Sequence, residues 1–360
     1  MRATQQLHSA GQSLWLDNIT RDLLDDGTLA RYVADDAITG LTSNPTIFKH
    51  ALESGSYDAD IAAGAGEACD EDVFFDLALS DLRRACDLFA PAHAASDGVD
   101  GWASIEVSPH LAHDTAGTVS EACRLHREGE RENLFVKIPG TAEGFPAIAE
   151  CTFAGVPINV TLLFSVQQYR NAFAAYCSGL ERRIAAGLDP RVPSVASLFV
   201  SRWDRAVAGT VPGELENRLG LAVAANAYRA YREQLGSPRW RRLERAGARP
   251  QRLLWASTSA KSPDVSDVVY AEGLIAPDTI NTMPEATLAA FADHGTVGAP
   301  LPEDGGDADR VLAEFASAGI DVQAVATRLL RDGLTTFDLA WSDLLGRIVA
   351  KRHELAPGRG

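Results

Sequence analysis

Lysine is scarce in this chain of 360 residues: only Lys49, Lys137, Lys261 and Lys351 occur, so 29 of the 33 basic side chains are arginine. Scarcity makes position informative. A desolvated ammonium can lose its proton and act as a nucleophilic amine, whereas a guanidinium effectively cannot. Lys49 and Lys351 read as surface charges that arginine would supply equally well, but Lys137 and Lys261 do not. Basic charge is short altogether, with 49 acidic residues and a formal net charge of −16. That balance argues against a nucleic-acid or anionic-membrane surface, and it requires any phosphate site to be a local cluster of positive groups. The five cysteines form no C-x-x-C pair, and their odd number suits reduced thiols in a cytoplasm better than a disulfide framework. No apolar run approaches the ~18 residues of a membrane span, and Met1 to Ser13 is too polar for a signal peptide. A soluble cytoplasmic protein is expected. Neither a G-x-G-x-x-G turn nor a G-x-x-x-x-G-K-[ST] loop is present, which weakens a dinucleotide-binding reading. His110-Leu-Ala-His113 has H-x-x-H spacing without further ligands at a recognised distance, so no metal is expected.

What is present is an alternation of strand-like and helix-like stretches. Strands are predicted at Ser13 to Asn18, Ala37 to Thr42, Trp102 to Ser108, within Leu134 to Gly140, Pro157 to Phe164, Val192 to Val200, Arg252 to Ser257 and Asp278 to Thr282. Helical patterns separate them. Asn44-Pro45 has an N-cap residue followed by proline at the first helical position, and Ser165-Val-Gln-Gln168 resembles a capping box. Thr118-Val-Ser-Glu121 is read as a second box, and Trp203 to Leu235 as helical sequence. Eight strands alternating with helices favour one (β/α)8 barrel over an open sheet. Residues 1–360 are taken as a single domain, with 307–360 as C-terminal helices packed on or over the barrel. Leu330, Leu334, Phe337, Trp341, Leu345 and Ile348 form their apolar stripe.

Side chains alternate faces along a strand, so parity sorts the polar residues. Leu14 and Leu16, Ile105 and Val107, Val136 and Ile138, and Val160 and Leu162 would face the helices. The opposite side collects Asp17, Ser104 with Glu106, Lys137, Asn159 with Thr161, and Ser197 with Phe199. These residues crowd toward the C-terminal strand ends, where barrel active sites lie. A buried lysine near two carboxylates suggests Schiff-base chemistry, with acids and bases moving protons through carbinolamine, imine and enamine. Parity alone leaves alternatives open: Lys137 could extend its ammonium to solvent or pair structurally with Asp17, and Asn44 could be only a cap. Arg202 follows the sixth strand and Lys261 the seventh, both suited to phosphate or to plain surface charge.

Four ordered blocks carry a family resemblance. Gly40-Leu-Thr-Ser-Asn44-Pro-Thr-Ile-Phe48, Leu134-Phe-Val-Lys137-Ile-Pro-Gly-Thr-Ala-Glu-Gly144, Ile158-Asn-Val-Thr161-Leu-Leu-Phe-Ser165 and Ser197-Leu-Phe-Val-Ser-Arg202 resemble segments of the transaldolases. The style of the chain, including Asn281-Thr-Met-Pro284, resembles the longer bacterial branch. The resemblance implies a (β/α)8 barrel without metal or organic cofactor. It implies transfer of a dihydroxyacetone unit from sedoheptulose 7-phosphate or fructose 6-phosphate to an aldose phosphate in the pentose phosphate pathway. Carried over by position, Lys137 would form the imine and Asp17 would be the acid/base at the hydroxyl whose carbon-carbon bond breaks. Glu106 with Thr161 would position and activate water. Asn44, Asn159 and Ser197 would hold substrate hydroxyls, Phe199 would shape the pocket and Arg202 would bind phosphate. Where many members carry a second phosphate arginine, this chain has Ser257-Thr-Ser259, and Lys261 stands as the substitute.

Two other readings compete. A fructose-6-phosphate aldolase releasing free dihydroxyacetone resembles the same family, but those relatives tend to carry an uncharged residue where Glu106 stands. A non-catalytic sugar-phosphate sensor would not need every candidate catalytic group in place. Oligomeric state is not legible.

Overall fold

The computed structural model describes residues 1–63, 69–260 and 265–355. Among them, eight parallel strands form one sheet: β1 (Ser13–Leu16), β2 (Ile38–Leu41), β3 (Ala103–Glu106), β4 (Leu134–Pro139), β5 (Ile158–Leu163), β6 (Ser194–Phe199), β7 (Gln251–Ala256) and β8 (Ile280–Met283). At least one helix separates each successive pair. The ladder runs β2-β1-β8-β7-β6-β5-β4-β3, and its two ends meet where Gly40 bridges Trp102. There Leu41 N–H donates to the Trp102 carbonyl at 2.9 Å and Gly101 N–H to the Thr39 carbonyl at 2.8 Å. The expected (β/α)8 barrel is therefore closed through this seam. Glycine is required at position 40, because a Cβ would sit 2.6 Å from the Trp102 carbonyl oxygen and 2.7 Å from the Trp15 ring.

Strands flanked by helices outside and side chains inside are buried on both faces, which explains their near-continuous apolar character. Leu14, Leu16, Ile105, Val136, Ile138 and Val160 face the helices, whereas Trp15, Phe135, Val195, Leu254 and Ile280 fill the interior. Phe135 stacks on Trp102 at 4.1 Å and tilts against Trp15 at 6.1 Å, plugging the N-terminal half of the barrel. Each such side chain gains about 1.5–3 kcal/mol by leaving water. The C-terminal half is left to polar residues.

Four expectations are corrected. Leu162 does not join Val160 on the helix-facing side. The β5–β6 register shifts between Val160 and Leu163, Leu162 takes φ +56°, and its side chain packs with the interior cluster while Leu163 takes the outer place. Thr118 caps nothing, since Asp114 accepts from Gly117 N–H at 3.0 Å and starts the Thr115–Gly129 helix. The stretch from Trp203 to Leu235 is interrupted: helix Ser201–Val207, a 3-10 turn at Gly213–Leu215 and helix Leu219–Gly236 replace one long helix. The buried Asp204 carboxylate holds the break by accepting from Leu219 N–H at 2.8 Å and from the Tyr270 hydroxyl at 2.7 Å. Finally, Lys351 is only 5% exposed and pairs with Asp58, so it is no surface charge.

The helices beyond residue 307 are Ala308–Ser317 and Val322–Leu355. The latter, 34 residues long, lies across the C-terminal ends of the strands on one side of the barrel. Trp341 meets Phe74 edge-on at 4.9 Å, and Lys49–Asp343 and His110–Asp338 pairs of 2.8 and 3.1 Å fasten the helix to neighbouring segments.

Candidate active site

At the C-terminal end of the barrel a cavity of about 320 Å³ is lined by Asp17, Asn44, Lys137, Thr161, Ser197, Phe199 and Arg202. Two larger hollows, of about 500 and 560 Å³, open at the opposite end around Trp102 and Arg249, away from every candidate group. The register of the parallel strands sets Glu106, Lys137 and Asn159 on one rung across β3, β4 and β5. Lys137 is 5% exposed, and its Nζ donates to the Ser43 carbonyl at 2.9 Å. Its carboxylate neighbour is Glu106, whose Oε2 lies 3.5 Å away. At 5% exposure Lys137 does not extend its ammonium to solvent.

Thr161 Oγ1 is buried without a hydrogen-bond partner, and Glu106 Oε2 has only the 3.5 Å ion pair with Lys137. Buried polar atoms are almost always satisfied, so an orphan hydroxyl and an under-bonded carboxylate beside a lysine mark a place suited to a ligand or water. Burial pushes the Glu106 carboxyl above the ordinary glutamate range, opposed by the Lys137 charge beside it. Asn44 does cap its helix, its Oδ1 accepting from Ile47 N–H at 3.2 Å. Its amide nitrogen has no protein acceptor among the described residues and lines the cavity. Asn159 is wired to protein at both ends: Nδ2 donates to Ser104 Oγ at 3.2 Å and Oδ1 accepts from Ser197 Oγ at 2.7 Å. The Ser197 oxygen stays available as an acceptor. The Arg202 guanidinium lies 5.0 Å over the Phe199 ring and 6.0 Å from that of Phe337. Lys261 lies outside the described residues. Ser257 and Ser259, which follow the seventh strand, line the cavity.

Several lining groups escaped the sequence reading. The Thr42 hydroxyl donates to Asp17 Oδ1 at 2.7 Å and contacts Thr282 Oγ1 at 2.8 Å. Both threonines lie inside quoted blocks, so strand parity could have flagged them. Thr336 and Phe337 reach the cavity from the C-terminal helix, about three hundred residues after Asp17 in sequence, and no local signal announces that. His110 pairs with Asp338 and His113 with Glu143 at 3.2 Å, so the two histidines serve different partners. Among the described residues no three His, Cys, Asp or Glu side chains gather as metal ligands. No described helix is long and apolar enough to cross a membrane.

The family model described as transaldolase/fructose-6-phosphate aldolase matches residues 14–348. The chain belongs to this family. It is 46% identical over 358 residues to a transaldolase of Thiobacillus denitrificans, covering 97% of this chain and 100% of the relative. It is 44% identical over 365 residues to a transaldolase of Acidothermus cellulolyticus, covering 99% and 98%. A protein of Nostoc sp. named transaldolase 2 is 39% identical over 373 residues, with 98% of each chain covered. The match thus includes the C-terminal helix as well as the barrel, and these relatives carry the transferase name rather than the aldolase one.

Proposed function

We propose that the protein is a transaldolase, a transferase that moves a dihydroxyacetone unit between sugar phosphates through an imine on Lys137. The observation that carries this reading is the buried Lys137 amine, held between the Ser43 carbonyl and Glu106 inside a cavity that also contains Asp17. In the neutral form the amine attacks the ketone carbon of fructose 6-phosphate or sedoheptulose 7-phosphate. Glu106 and Thr161, with their under-bonded oxygens, hold the water that carries protons as the carbinolamine loses hydroxide and becomes an iminium. Asp17 then takes the proton of the hydroxyl on the far carbon of the bond to be broken, the carbon that becomes the aldehyde of the leaving aldose. The carbon-carbon bond breaks, its electron pair moves to the iminium to give an enamine, and an aldose phosphate leaves. An acceptor aldose phosphate enters and the steps reverse. Asn44 and Ser197 serve substrate hydroxyls, Asn159 orients Ser197, Phe199 shapes the wall and Arg202 receives the phosphate. Lys261 is proposed as a second phosphate ligand on the sequence alone.

Glu106 and the transaldolase names of the relatives favour transfer over release of free dihydroxyacetone. Borohydride added with fructose 6-phosphate should fix a three-carbon or six-carbon adduct on Lys137, located by peptide mass. An unmodified Lys137 in a protein that still turns over donor would overturn the mechanism. Donor consumption that needs no erythrose 4-phosphate would move the protein to the aldolase side of its family.

A further inference from the structure

Beside the catalytic cavity a groove of about 450 Å³ runs between the Ser201–Val207 helix and the C-terminal helix. Arg202 and Thr336 line both spaces, so the two communicate. The groove adds Arg205 and Arg328, with Leu329 as apolar floor and Asp332 as its one acid. Asp332 is engaged by Arg331 at 3.3 Å.

Arginine elsewhere on this acidic chain is matched with carboxylates: Arg131 with Asp87 at 2.6 Å, Arg182 with Glu150 at 2.6 Å, Arg239 with Glu181 at 2.8 Å. Arg202, Arg205 and Arg328 have no such partner among the described residues. Arg328 spends one N–H on the Ala206 carbonyl at 2.9 Å, which fixes it over the end of the short helix and leaves its other donors unused. After burial, repulsion from Arg205 is the largest influence making the Arg202 guanidinium harder to keep charged. Three guanidiniums sharing one groove with a single carboxylate, which is itself paired with Arg331, leave a set of planar donor forks that suits phosphate, which they bind bidentately.

We propose that the Arg205–Arg328 groove is an outer phosphate-binding station that takes the phosphomonoester end of an incoming sugar phosphate and passes it to Arg202 in the catalytic cavity. The station rests on the sugar-phosphate reading given above. Its purpose follows from the net charge of −16, which repels a phosphate dianion at long range. A carboxylate-poor strip at the mouth reverses that field locally and raises the capture rate where it matters. In a reaction with two successive phosphorylated substrates, capture is needed twice per turnover.

The test uses the full chain and an Arg205→Gln/Arg328→Gln double variant, both substitutions being at exposed positions. Acceptor kcat/KM is measured for an aldose phosphate and for the same aldose without phosphate, at low and moderate ionic strength. The proposal expects the phosphorylated-to-unphosphorylated ratio to fall about tenfold at low salt, with the gap between proteins narrowing as salt screens the site. Titration with inorganic phosphate, followed as inhibition, should weaken in parallel. An unchanged ratio and salt dependence would overturn it. Lost inhibition by inorganic phosphate with an unchanged ratio would also overturn it, because the groove would then hold free phosphate and not substrate. If the wild-type protein shows no transfer at all, the proposed reaction fails. Calorimetric binding of fructose 6-phosphate to the two proteins then decides the station separately: weaker binding by the variant supports it and equal binding overturns it.

Discussion

The Thr42 hydroxyl points its single proton at Asp17 Oδ1, 2.7 Å away, so the 2.8 Å contact with Thr282 must be a hydrogen bond donated by Thr282. Thr282 in turn is placed by β8, where its carbonyl accepts from the Thr258 hydroxyl at 3.1 Å. Asp17 is thus oriented by two hydroxyls in series, each fixed by a different strand end.

Removing the first of them should cost turnover more than binding. Thr42→Val keeps the shape and deletes the donor, and a charge-assisted hydrogen bond of this kind contributes about 1.5–3 kcal/mol. We expect kcat to fall by one to two orders of magnitude, roughly the rate equivalent of that energy. Borohydride trapping on Lys137 should persist, since imine formation precedes the step assigned to Asp17. Thr42→Ser should recover most of the loss. A valine variant with wild-type kcat would detach Thr42 from the chemistry.

Glu106 sets a pH dependence whose sign can be worked out. Burial raises its carboxyl above the usual glutamate range, so the proton is held to higher pH in the folded protein than in the unfolded chain. The ionised carboxylate is therefore a cost to folding above that raised value, and the cost disappears as pH falls below the ordinary glutamate range. If the carboxylate accepts a proton during turnover, activity falls as pH drops through the raised value. The pH profile of kcat/KM should show this acid limb well above the pH at which an ordinary glutamate titrates. Glu106→Gln should lose about 10²- to 10⁴-fold in rate and abolish the limb. An identical limb in the glutamine variant would assign it to another group.

Gly333 faces the site from the C-terminal helix, where a Cβ would come within 3.2 Å of Leu162 Cδ2 and 3.3 Å of Arg202 Nη1. Both atoms are the far ends of flexible side chains, and alanine is favoured over glycine in a helix by about 1 kcal/mol. Gly333→Ala should leave the melting temperature equal or slightly higher while displacing Arg202. Kinetics should show a several-fold rise in KM for the phosphorylated donor. A large drop in melting temperature would mean that the helix cannot yield there.

The barrel was legible because its strands are buried on both faces and separated by helices, a pattern that length and alternation reveal without tertiary information. Parity placed Glu106 and Lys137 on the interior side because β3 and β4 keep regular pleats, and Thr161 because the irregularity in β5 takes effect only after it. It failed at Leu162, where one left-handed residue reverses the facing of its successors. Lys351 was misread for a different reason: ion pairing with Asp58 is decided by a partner nearly three hundred residues away. Phe337 and Thr336 belonged to a recognisable stripe or its edge, but a stripe gives the buried face of a helix and not the surface it will cover. Family likeness supplied the role of Asn44, and for Arg202 it chose phosphate over the plain surface charge that its place after a late strand left equally open.

That covering joins distant parts of the chain. Asp17 and Phe337 stand 320 positions apart in sequence (337 − 17), yet both line one cavity. A nascent chain released as far as Pro284 has all eight strands and the Lys137 amine, but one side of its reaction chamber is still unsynthesised. A chain cut after Pro284 should therefore keep the strand residues around the cavity and lose the wall that Thr336 and Phe337 supply.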